Sequence, residues 1–269
     1  MIDAHFHIWK LDRGDYDWLT PSLEPIYRDI AVEDWKHKAE RCGVTGGVMV
    51  QAAPSEAETD YILARAAEHP GMVLGVVGWV DMSVSDAPQR IETMARNPLL
   101  KGLRPMLQDI PDPNWILHSD LAPALDSMCE LGLTFDALIK PVHLSQMLVL
   151  AARFPQLRIV VDHGAKPDIA SGAFQPWAEG LQRIAQETGV YCKLSGLLTE
   201  AGERNDPASL RPYADHIFRS FGPERVLWGS DWPVLELAGS YEGWHKMAVE
   251  FVPDSHREAV FEKNAVRAY

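Results

Sequence analysis

A (β/α)8 TIM barrel, formed by a single domain spanning residues 1–269, is the fold this sequence predicts. Three observations predict it. Short apolar runs alternate with amphipathic stretches along the whole chain; the apolar runs number eight; and no glycine-rich phosphate loop follows the first of them. The runs are rich in Val, Ile and Leu and lack strict polar alternation, as parallel strands covered on both faces do. A length of 269 residues suits one such barrel. A doubly wound sheet, the alternative, usually has fewer strands and a Gly-rich first turn.

The elements are predicted in order as follows. Ile2–Ile8 is the first strand, and the helix Val32–Arg41 ends at Cys42-Gly43, a stop signal. Strand Gly47–Ala52 leads to a helix over Ser55–His69, where Ser55 and Glu58 have the spacing of a capping box. Strand Val73–Val80 precedes helix Asp86–Asn97, which stops before Pro98. Strand Lys101–Met106 is followed by helix Asp120–Leu131, ended by Gly132, and strand Thr134–Ile139 by helix Leu144–Phe154, ended by Pro155. Strand Arg158–His163 pairs with helix Phe174–Glu187, and strand Val190–Ser195 with helix Pro207–Phe221. Strand Arg225–Ser230 and helices Tyr241–Phe251 and Asp254–Ala268 close the series. The longest irregular stretches, Trp9–Ile30, Gln108–His118 and Leu197–Asn205, follow strand ends and so belong to the C-terminal rim, where barrel active sites lie.

Composition removes several function classes. A hydrophobic fraction of 46% supports a large core, and a formal charge of −13 makes nucleic acid and anionic membranes poor partners. Cys42, Cys129 and Cys192 are widely spaced and form no CxxC, which argues against a disulfide framework or a thiolate zinc site. There is no basic-then-apolar leader, and no apolar run nears the roughly 20 residues of a membrane span. The expectation is a cytoplasmic protein acting on a small molecule.

The chemistry starts in "MIDAHFHIW". Strand side chains two apart share a face, so Asp3, His5 and His7 are expected on the barrel axis and Ile2, Ala4, Phe6 and Ile8 on the helix-covered exterior. Two inward imidazoles at i, i+2 can converge on one metal ion or one substrate oxygen. Other strand ends add polar groups: Gln51 near the end of the second strand, Arg104 inside the fourth, and His163 at the end of the sixth, on the face of Ile159 and Val161. Lys193 and Ser195 share a face of the seventh strand, and Asp231 lies just beyond the eighth. Asp162, pointing opposite His163, is read as structural, and His69, His118, His143, His216, His245 and His256 as surface residues. Ser230 in "WGSDW" does not fit the GxSxG of a nucleophile elbow.

This set resembles the amidohydrolase superfamily, whose signature is an HxH ending strand one, a later strand-end His and an Asp after strand eight. "IDAHFHIW", "DYDWL", "DHGAKP", "CKLSGL", "GSDWPV" and "FEKNAVRAY", in that order, are similar to the sugar-lactonase branch, fuconolactonase-like and rhamnonolactonase-like, related to dicarboxylate lactonases. The resemblance implies a hydrolase that opens a sugar-derived lactone. Asp231 would take a proton from water. His5, His7 and His163 would polarise the carbonyl directly, or through one divalent metal, zinc first, held by them and Asp231. Arg104 and Lys193 stand where binuclear members of the superfamily carry further ligands; as cations they coordinate no metal, so at most a mononuclear site is expected. Arg104, Lys193, Gln51, Ser195, Trp9, Tyr16 and Trp18 are the candidates for holding the substrate. Two alternatives stand beside the lactonase: a metal-dependent decarboxylase of an aromatic or unsaturated acid, and a catalytically silent small-molecule-binding barrel.

Overall fold

In a computed structural model describing residues 1–269, eight parallel strands form one sheet in the order β1 to β8. They are β1 (Ile2–Phe6), β2 (Gly46–Val50), β3 (Val73–Gly78), β4 (Leu100–Leu103), β5 (Thr134–Ala137), β6 (Arg158–Val161), β7 (Tyr191–Leu194) and β8 (Val226–Trp228). The helices α1 (Val32–Arg41), α2 (Glu56–Ala67), α3 (Ala87–Met94), α4 (Ala122–Leu131), α5 (Leu144–Arg153), α6 (Trp177–Glu187), α7 (Pro207–Phe221) and α8 (Tyr241–Phe251) separate and follow the strands. The predicted last helix is broken: a 3-10 turn at Asp254–His256 and a π turn at Ala259–Lys263 precede α9 (Asn264–Ala268).

Local chemistry accounts for the helices. Asp206 caps α7 by accepting from the Ala208 and Ser209 N–H groups, and Pro207 occupies the first turn. In α6 the buried residues Trp177, Ala178, Leu181, Ile184 and Ala185 form one stripe at helical spacing. No helix is long and apolar enough to cross a membrane. His143, expected at the surface, is buried, its Nδ1 lying 3.1 Å from the Lys140 backbone nitrogen.

The first strand does not alternate strictly. Asp3 pairs with Gly47 and Phe6 with Met49, so three steps on β1 match two on β2. This bulge corrects the expected faces. Ile2 and Ala4 pack with Val160 of β6 and Leu227 of β8 across the barrel interior. Asp3 faces the helix layer, where its carboxylate accepts from Trp35 Nε1 at 2.9 Å, Tyr241 Oη at 3.0 Å and the Ser230 N–H at 2.8 Å. Beyond the bulge, His5 turns inward and Phe6 outward onto Trp35, ring stacked on ring at 3.9 Å.

The barrel closes through the segment after β8. The Asp231 N–H donates to the His5 carbonyl at 2.8 Å and the His7 N–H to the Trp232 carbonyl at 2.7 Å. A Cβ on Gly229 would lie 2.7 Å from the His5 Cβ, so this seam requires glycine there. The same two backbone hydrogen bonds that close the cylinder carry Asp231 to the two histidines.

Glu58 departs from the predicted capping box. Ser55 does accept from the Glu58 N–H at 3.0 Å, but the Glu58 carboxylate accepts from Tyr16 Oη at 2.5 Å and from the Ala52 N–H at 3.3 Å. Burial pushes this carboxyl up to about 7, against the opposing hydrogen bonds and Arg13. The folded protein therefore retains a proton, between the ordinary carboxyl range and about 7, that the unfolded chain releases. That contribution to stability is lost as pH rises through this window. Glu58→Gln is expected to become steadily more stable relative to the parent protein between pH 5 and pH 8 in urea titrations, by on the order of 2–3 kcal/mol in total. A pH-independent difference would show that the group titrates normally.

Candidate active site

Val160 faces the barrel interior, and Asp162, two residues on, follows it inward, whereas Ile159 and Val161 face the helices. This reverses the expected parity, which set His163 inside and Asp162 apart. His163 still reaches the interior because the chain leaves the strand in a left-handed turn: φ is +53° at His163, +57° at Gly164, +61° at Ala165 and +49° at Lys166. Asp231 is also left-handed, at φ +59°. Non-glycine residues rarely hold this conformation, and such strain gathers at functional sites. Gly196 makes room for the turned-in ring, since a Cβ there would stand 2.6 Å from His163 Cγ.

The structure brings Asp231 together with all three imidazoles. Its Oδ1 lies 3.3 Å from His7 Nε2, 3.7 Å from His5 Nε2 and 3.8 Å from His163 Nε2. His7 Nδ1 lies 2.7 Å from the Val50 carbonyl, which only accepts, so that nitrogen carries the proton. His7 Nε2 of a neutral ring is then an acceptor, 3.2 Å from His5 Nε2 and beside the Asp231 carboxylate. Ser195 Oγ, 2.8 Å from His163 Nδ1, orients the third ring. Burial, opposed by Asp231 and Asp162, pushes His163 down to about 4, so its ring is uncharged at neutral pH. Burial, reinforced by the Lys193 charge, holds His5 well below the usual imidazole range. Burial acts to raise the Asp231 carboxyl, but His163, His7 and His5 outweigh it and keep the group below its ordinary range.

Beneath these rings lies a buried ionic layer. Lys193 Nζ is 2.6 Å from Asp136 Oδ2, 2.9 Å from Asp162 Oδ1 and 3.1 Å from His5 Nδ1, three acceptors for its three protons. Tyr269 Oη donates to Asp136 Oδ2 at 2.7 Å. Burial raises Asp136 to about 6, while Lys193, His5 and Arg104 overcome the effect of burial on Asp162 and hold it well below the usual range. Arg104 follows β4 instead of lying within it. Its Nη1 is 3.4 Å from Asp162 Oδ2 and 3.3 Å from His5 Nε2, and its Nη2 donates to the Gln51 carbonyl.

A cavity of about 330 Å³ opens onto this set. His7, Arg104, His163, Asp231 and Trp18 of the expected residues line it. His5, Gln51, Lys193, Ser195 and Trp9 do not; they support the lining residues from behind. Trp9 Nε1 donates to the Arg28 carbonyl at 2.9 Å, and the Gln51 amide donates to the Arg104 carbonyl at 2.8 Å. Lys166, Gln108, Asp109 and an apolar wall that includes Leu138, Val234 and Leu237 complete the lining and were not foreseen. Lys166 stands in "DHGAKP", and its place beside His163 in a rim turn was the available signal.

The donor set fits one divalent ion. His5, His163 and Asp231 offer ligand atoms within 4.8 Å of one another, and His7 Nε2 lies 3.3 Å from Asp231. Charge balance agrees: Asp136, Asp162 and Asp231 outnumber Lys193 and Arg104 by one in this buried layer.

The family model described as "Amidohydrolase" matches residues 2–269. An L-fucono-1,5-lactonase of Burkholderia ambifaria is 42% identical, over 100% of this chain and 94% of that protein. A second L-fucono-1,5-lactonase, of Burkholderia multivorans, is 30% identical, over 100% of this chain and 95% of its own length. A crystal structure of an amidohydrolase from Burkholderia multivorans with bound zinc superposes with a TM-score of 0.94 at 28% identity, over 100% of this chain and 98% of that one.

Proposed function

The chain belongs to the amidohydrolase family, and from that membership we propose that it opens a sugar-derived lactone, with L-fucono-1,5-lactone or a close stereoisomer as the first substrate to test. The observation that carries this reading is the meeting of Asp231 with three imidazoles at the floor of an open cavity. The 42% identity to a lactonase over the full chain supports the choice of ester.

Asp231, ionised at neutral pH, takes a proton from water as the oxygen adds to the lactone carbonyl carbon. Negative charge then builds on the carbonyl oxygen. Arg104, a fixed cation in the cavity wall, and an N–H of His163 offset it, each donor worth a few kcal/mol. The Asp231 proton passes to the ring oxygen as the C–O bond breaks, giving the hydroxy acid and restoring the carboxylate. A divalent ion held by His5, His7, His163 and Asp231 would supply further polarisation of the carbonyl. Trp18 and the apolar wall suit the ring face of a sugar lactone, while Gln108, Asp109 and Lys166 meet its hydroxyls.

The test is a panel of aldono-1,5- and 1,4-lactones followed by acid release, run with and without chelator. Acid release from aldonolactones is the expected result. Carbon dioxide release from aromatic acids, lost on chelation, would replace this reading with the decarboxylase, and binding without turnover would replace it with the silent barrel.

A further inference from the structure

The rim loop between β1 and α1 reaches α2 through Tyr16. Tyr16, 6% exposed, reaches the carboxylate of the fully buried Glu58 on α2. Glu58 also accepts from the Ala52 N–H, and the carbonyl of that same Ala52 accepts from Trp18 Nε1 at 2.8 Å. Trp18 stands edge-on to Trp9, with ring centroids 5.4 Å apart, and is 37% exposed where it lines the cavity. Arg13 packs over Tyr61, 4.4 Å from its ring centroid, on the outer side of the same junction. A hydrogen-bonded chain thus runs Tyr16–Glu58–Ala52–Trp18, from a buried carboxylate to the aromatic wall of the site.

We propose that Glu58 and Tyr16 are positioning residues, which clasp the rim loop to α2 and thereby set Trp18 against the bound substrate. Neither residue lines the cavity; they act through Ala52 and Trp18. The clasp governs how tightly the substrate is held and leaves the bond-breaking groups in place: Asp231 follows β8, Arg104 follows β4, and His7, at the start of the loop, is fixed separately by the Val50 and Trp232 carbonyls. It requires a matched pair of hydrogen bonds rather than a charge. A glutamine at position 58 can accept from the Ala52 N–H through its oxygen and donate to Tyr16 Oη through its amide.

The kinetic arm of the test rests on the lactonase reading; the second arm does not. Tyr16→Phe and Glu58→Ala are expected to raise KM about tenfold, the ratio equivalent to about 1.4 kcal/mol, with kcat changed less than about twofold. Glu58→Gln is expected to keep KM close to the parent value. In the substrate-free protein, trypsin is expected to cut after Lys10, Arg13 or Arg28 several-fold faster in Tyr16→Phe, with other sites unchanged. Unchanged KM and loop cleavage in Tyr16→Phe, with only a lower Tm, would overturn the clasp. So would a Glu58→Gln protein as impaired as Glu58→Ala. If the parent protein opens no lactone in the panel, the cleavage pattern alone decides.

Discussion

Asp231→Asn is expected to lower kcat by about 10²–10⁴, the usual contribution of a positioned general base, while the barrel remains folded. The substitution suits this position. Asn tolerates the left-handed backbone at φ +59° better than most residues do. The amide has the shape of the carboxylate, and the seam hydrogen bond from the residue 231 N–H to the His5 carbonyl involves main chain only. What the variant loses is the capacity to take a proton from water and return it to the leaving oxygen. The check pairs steady-state rates on the best lactone with circular dichroism and a urea melt. Near-parental kcat in a folded Asp231→Asn protein would remove Asp231 as the base and redirect attention to the histidines.

Lys193→Ala is expected to destabilise the protein by about 3–5 kcal/mol, the range for breaking a buried ion pair by removing one partner. The sequence suggested a substrate ligand here; the structure places the ammonium fully buried below His5, between Asp136 and Asp162. Removing it strands two carboxylates in the barrel centre and leaves His5 Nδ1 without its donor. Against a total stability of about 5–15 kcal/mol for a typical domain, the loss is a large share of the whole. Chemical denaturation measures it. Lys193→Met combined with Asp136→Asn is expected to recover part of the loss, because one of the stranded charges goes with it. A substrate-binding lysine would behave differently, raising KM with the denaturation midpoint unmoved, and that outcome would place Lys193 in the binding site after all.

The legible part of the site was chemical. Two histidines in an apolar strand are costly to bury without purpose, and HxH, His163 and Asp231 stood out for that reason. The illegible part was geometric. A period of two assigns faces only while the strand stays regular. One extra residue at Ala4–His5 and a left-handed turn from His163 to Lys166 each change the parity. For that reason strict alternation misplaces Ile2, Asp3, Ala4, Ile159, Val161 and Asp162, yet places His5, His7 and His163 correctly. Glu58 was concealed differently: its spacing from Ser55 suits a cap, and its true partner, Tyr16, lies 42 residues away.

By itself the sequence determined the barrel, its eight strands and the residue types of the candidate site, because hydrophobic periodicity and the cost of burying polar groups act over a few neighbouring residues. Only the tertiary structure decided which lysine lies buried, which carboxylate anchors the rim loop and which side chains wall the cavity. Those outcomes depend on pairings between segments far apart in the chain, where a single bulge or one positive φ redirects a side chain from one face to the other.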